Sequence, residues 1–158
     1  MALYIDKSDK FAFEKPAGVT CRNLTGDDRC KIHNTLEEQG CSGCIDYTCD
    51  GAGQRVVQDL YGGISWQKRP ETLAPMSEDF AKMRRIHDLL TLLAAARKLR
   101  LSDPIVAELD GYIQRLLPQE DWSRETFDAF DEIAIKSEVT SFLQRLREHL
   151  PPPASKLS

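Results

Sequence analysis

No cysteine follows Cys49 in this chain of 158 residues, and all five cysteines lie between Cys21 and Cys49. An odd count excludes a complete disulfide framework. The first residues, Met1 to Lys7, lack the basic stretch and apolar run of a secretory signal. The expected compartment is therefore a reducing cytoplasm, where clustered thiols serve as ligands or reactive groups. Long hydrophobic runs are absent too: the longest, Leu89 to Ala96, is interrupted by Thr91 and is far too short for a membrane span. There is no dense block of Lys and Arg, and the net charge of -4 comes from interspersed signs, so a phosphate backbone is not an expected partner. No Ser, His and acid arrangement and no isolated carboxylate pair can be picked out, which leaves hydrolytic chemistry without a basis. Ser155-Lys156-Leu157 stands one residue short of the end and is not a peroxisomal address.

What is present divides by composition. Apolar residues make up 41% and charged residues 29%, ordinary values for a globular chain. Residues 1–70 hold every cysteine and most of the glycines. Residues 71–150 are rich in Leu, Ala, Ile, Arg and Glu at helical spacing, and 151–158 form a proline-led polar tail. The stretch from Gln67 to Pro75, with Pro70 and Pro75 in it, reads as a connecting loop.

Three helices are expected after it. The first starts at Ser77 as N-cap, with Glu78 and Asp79 in its opening turn. It carries a stripe of Phe80, Met83, His87, Leu90, Ala94 and Arg97, widened by Ile86, Leu89, Leu93 and Ala96. The second opens at Ser102-Asp103-Pro104, buries Ile105, Leu109, Ile113 and Leu116, and stops by Pro118. The third runs from Ser123, turns Phe127, Phe130, Ile135, Val139, Phe142, Leu146 and Leu150 inward, and ends at Pro151. The expected fold class is mainly α, a cysteine-rich module packed on a three- to four-helix bundle. Ala2 to Ile5 and Phe11 to Phe13 form either a small β-hairpin or an arm laid on the bundle.

The chemistry-bearing residues are Cys21, Cys30, Cys41, Cys44 and Cys49, with His33 beside them. Thiolates are soft ligands suited to zinc and to iron–sulfur centres. Cys41 and Cys44, two residues apart with Gly40 and Gly43 interleaved, can grip one ion from a tight turn. If residues 28–39 are helical, Cys30 and His33 stand one turn apart on one face. Gly51-Ala52-Gly53-Gln54 reads as a tight turn entering a helix. It is not a dinucleotide fingerprint, because no strand precedes it and no third glycine follows. His87 is expected as a core or boundary histidine, and His149 suits a helix C-terminus. Trp66 and Trp122 are expected to cover the bundle ends.

The run Cys21, Leu24, Arg29, Cys30, Ile32, His33, Leu36, Gly40, Gly43, Cys44, Tyr47, Cys49, Gly51, Ala52, Gly53 and Gln54 resembles a cysteine-rich segment. That segment stands at the N-terminus of bacterial pentapeptide-repeat-associated proteins. The five-residue repeats themselves are absent here. The resemblance implies no activity, but it places Cys21, Cys30, Cys44 and Cys49 at patterned positions and Cys41 at a variable one. On that basis the expected ligands are Cys21, Cys30, Cys44 and Cys49, with Cys41 or His33 as alternates. The stretch from Cys21 to His33 is more weakly similar to a bacterial zinc- or iron-chelator family with a CxxCxxxCC motif, whose adjacent cysteines are missing here.

These readings lead to a non-catalytic, structural zinc protein that acts as an interaction module, binding another protein or a second copy of itself. Nucleic acid and membrane are not expected partners. The alternative is an iron–sulfur or thiol-based redox protein, although the chain has too few strands for a thioredoxin-like fold.

Overall fold

A computed structural model describes residues 3–149. Ala2, Leu150, the expected stop at Pro151 and the tail 151–158 lie outside the described residues, as does the side chain of His149. The described chain is mainly helical, and no strand forms in it. It divides into two compact units with the boundary between Arg84 and Arg85.

The first unit is built largely from turns. An antiparallel bridge joins Ile5 and Lys15 through two N–H···O bonds of 2.9 Å, but it does not extend into strands. Ser8 and Phe11 also exchange amide bonds of 3.0 and 3.3 Å, so the opening residues fold back as an arm that is neither the expected stranded hairpin nor shown to lie on the bundle. The amide of Ala12 donates to the Gly40 carbonyl at 2.7 Å, and the amide of Gly43 donates to Lys10 at 3.1 Å, so the arm lies on the cysteine segment. A second bridge pairs Leu24 with Cys30. The expected helix over 28–39 is absent; only a 3-10 turn, His33–Thr35, forms. Asp28 and Gly40 adopt left-handed conformations at φ 62 and 63, which interrupt helical bonding at both ends of that stretch.

Two one-turn helices follow, α1 (Gly43–Asp46) and α2 (Ala52–Arg55). Left-handed Asp50 and Gly51 lead into α2, as expected of a glycine-bearing turn before a helix. α2 widens directly into a π turn, Val56–Leu60. A 3-10 turn at Pro70–Thr72 then runs straight into α3 (Leu73–Ala96). The loop expected up to Pro75 is thus already helical. Proline is tolerated in the first turn because the amide it lacks has no intrahelical partner there. Ser77 is accordingly no cap; its hydroxyl donates to the Leu73 carbonyl at 2.7 Å within the helix. Met76, Phe80 and Met83 on α3 bury their side chains in the first unit, with Leu36, Cys41, Ala52 and Val56.

The second unit is helical: the remainder of α3, α4 (Asp103–Leu116), α5 (Arg124–Ala129) and α6 (Glu132–His149). Its core holds Ile86, Leu89, Leu93, Ala96, Leu109, Leu116, Phe127, Ile135, Val139, Phe142 and Leu146. His87 is buried beside them, as expected, whereas Ala94 and Arg97 are exposed. The buried stripe of α3 thus combines Phe80, Met83 and His87 of the expected face with the whole set expected to widen it. Trp122 is buried and meets Phe127 and Phe130 edge-on, with ring centroids 5.6 and 5.1 Å away. The single helix expected from Ser123 is broken at Phe130 and Asp131, where the Asp131 carboxylate accepts the amides of Ile133 and Ala134. Glu108 pairs with Arg145 and Glu138 with Arg115, an inverse order that sets α4 antiparallel to α6. Exposed pairs of this kind contribute only about 0–1 kcal/mol each, so they select the register of the helices more than they stabilise them.

Candidate functional site

All five thiols are free and unevenly exposed. Cys21 opens a turn in which the Leu24 amide donates to its carbonyl at 3.0 Å, and Leu24 then bridges to Cys30. One short loop therefore carries two cysteines back toward each other. Cys41 is 2% exposed, with its amide donating to Leu36 at 2.7 Å and its thiol directed at the Gln39 carbonyl at 3.5 Å. Three residues on, the Cys44 amide donates to the Cys41 carbonyl at 3.0 Å, which closes the tight turn expected of a two-residue spacing. A Cβ on Gly43 would overlap the Phe11 ring of the arm, so any larger residue here must displace that ring.

The Cys44 thiol is held above its ordinary pKa. Loss of hydration is the leading cause, although the residue presents much of its surface to water, and the neighbouring Cys41, Cys21 and Cys30 add to it. Three thiols thus lie near enough to oppose the ionisation of Cys44, an effect that a nearby cation would relieve. Among the described residues, no three His, Cys, Asp or Glu side chains already stand in a shell that could hold a metal ion.

Cys49 and His33 stand apart from this gathering. The Cys49 thiol faces the Gln54 side-chain oxygen at 3.9 Å and lines a cavity of about 520 Å³. His33 is exposed on its 3-10 turn, and the missing helix removes the reason to place it on one face with Cys30. Trp66, expected at a bundle end, lines the same cavity as Cys49.

One residue had no signal in the sequence. Lys15 is 5% exposed, and its ammonium donates to the carbonyls of Leu3, Pro16 (3.1 Å) and Val19 (2.7 Å). Burial lowers its pKa, and Cys21 lies close enough to oppose that shift. A lysine in a polar loop ordinarily reads as solvated.

No family model matches the chain, and no solved structure matches it. It is similar to the uncharacterized protein YybG of Bacillus subtilis (strain 168), with 35% identity over 148 residues. The match covers 94% of this chain and 53% of the relative, so the chain spans about half the length of the curated relative it matches. No helix among the described residues is long and apolar enough to cross a membrane.

Proposed function

We propose that this is a non-catalytic metal-binding protein whose first unit is closed by one ion on thiolates, Cys21, Cys30, Cys41 and Cys44. The observation that carries this reading is the gathering of those cysteines by backbone turns in a region almost without a core. Between residues 5 and 50 the buried apolar side chains are Leu36 and Cys41 alone, and no helix there exceeds one turn. A segment that buries so little apolar surface needs a staple to offset its chain entropy. Four thiolates with no water are the donor set of a closed zinc site, and binding energy at such a site is also folding energy. Zinc is the metal in this reading, with an iron–sulfur centre as the alternative that the same ligands admit.

Relative to the ligand set given by resemblance, Cys41 takes the place of Cys49. Support for that exchange comes from the turn shared by Cys41 and Cys44 and from the separate surroundings of Cys49. The closed unit then presents a surface for another protein or a second copy, in a cytoplasmic setting, and the resemblance to pentapeptide-repeat-associated segments belongs to this proposal as well.

The test is elemental analysis of untagged protein purified without oxygen, with free thiols counted on the same sample. About one zinc per chain with one reactive thiol is the expected result. A brown preparation with iron and sulfide selects the cluster instead. Metal-free protein with five reactive thiols and a protease-resistant segment 20–50 would overturn both readings.

A further inference from the structure

We propose that the cavity lined by Cys49 and Trp66 binds a lipophilic organic cation, a drug-sized molecule with an apolar or aromatic body and one positive charge. This site uses none of the four proposed ligand thiols, but Leu24, Asp28 and Cys49 on its wall lie in the segment that the ion is proposed to hold, so it is tested on protein as purified, without a chelator. Its volume, about 520 Å³, lies within the range of small-ligand pockets. The π turn helps to open it: a turn of five residues is wider than an α turn, and Val56, Val57 and Gln58 all border the space.

The chemistry of the walls selects the occupant. Several polar groups on the wall are already used within it. The Ser77 hydroxyl bonds Leu73, the Ser65 hydroxyl accepts the Gln67 amide at 3.2 Å, and the Cys49 thiol faces Gln54. What remains to meet a guest is chiefly hydrocarbon, two aromatic rings, Trp66 and Phe80, and the neutral side-chain amides of Gln54 and Gln58. The one formal charge among the described wall residues is the exposed Asp28 carboxylate, one oxygen of which accepts the Gln67 side-chain amide and leaves the other to a guest, and no lysine or arginine borders the cavity there. Aromatic faces beside a carboxylate attract a cation with poorly hydrated charge and repel an anion of equal shape.

Tetraphenylphosphonium and tetraphenylborate, matched in size and opposite in sign, test this by titration calorimetry on the full chain. The cation is expected to bind at one saturable site, with the anion weaker by about tenfold or more. Asp28→Asn, a residue that tolerates the left-handed backbone there, should remove most of that preference. Ala81→Trp, on an exposed turn of α3 that borders the cavity, should abolish binding of both ions. Alkylation of Cys49 by iodoacetamide, followed by mass spectrometry on the unsubstituted protein, should slow when the cation is bound. Equal affinity for the two ions, no binding of the cation, or a Cys49 alkylation rate unchanged at saturation would each overturn the proposal.

Discussion

Lys15 and Gly43 carry the N-terminal arm, and each does so through a different kind of constraint. The Lys15 ammonium gathers three carbonyls that no strand or helix would otherwise satisfy. Lys15→Met keeps the length of the side chain but removes the ammonium from the Leu3 and Val19 carbonyls, while Pro16 keeps the Val19 amide at 3.4 Å. A loss of about 2 kcal/mol in the denaturant stability of the first unit is expected. At Gly43 the constraint is space. Gly43→Ala pushes the Phe11 ring out of its place and should cost about 1–3 kcal/mol, with faster proteolysis at residues 8–12. In the Phe11→Ala background the same change should cost little, and the double-mutant cycle measures the difference. Neither role could be read from the sequence. Lys15 has the composition of a surface residue, and Gly43 was legible only as the flexible partner of Cys44, not as the floor beneath Phe11. The cysteines were more legible as a group than as individuals. Their crowding pointed to one site, but the choice of Cys21, Cys30, Cys41 and Cys44 as its proposed ligands rests on turns that leave no periodic trace.

Elements with a strong local signal were read well from the residues. α4 starts after Ser102 with Pro104 in its first turn and ends at Leu116, as the proline and the apolar spacing require, although the Ser102 side chain makes no capping bond. α3 starts four residues earlier than Ser77, because a proline can open a helix as readily as it can end one. The break between α5 and α6 went unread because both pieces keep the same apolar period across it. The discriminating residue is Asp131, whose carboxylate takes two amides at 3.1 and 2.9 Å. Asp131→Ala should cost about 1 kcal/mol of second-unit stability, read in a thermal or urea melt. Between α4 and α6, the Arg115 guanidinium holds the Glu138 carboxyl below its usual range. As pH falls, the unfolded chain takes up that proton first. The contribution of the pair is thus complete above the ordinary glutamate range and is lost as pH drops through the folded value. Carboxyl-carbon NMR should show the Glu138 midpoint rising toward the ordinary value in Arg115→Gln.

Taken as a whole, the molecule joins two units held together by different physics. The second has a continuous apolar core drawn from every one of its helices, whereas residues 5–50 of the first bury only Leu36 and Cys41 among apolar side chains and carry all five thiols. Removing metal with a chelator under reducing conditions should therefore act unevenly. Amides of residues 20–50 are expected to lose most of their protection against hydrogen exchange, while those of α4 and α6 keep theirs. Uniform loss, or none, would contradict the proposed role of the ion.

α3 belongs to both units, since the division between Arg84 and Arg85 falls at its midpoint. Cutting the gene there would leave each fragment half of a 24-residue rod, at the lower edge of the roughly 12–15 residues at which an isolated helix begins to hold in water. Anyone wishing to express the halves separately should let both carry residues 73–96 in full, so that neither begins or ends on a fraying stub.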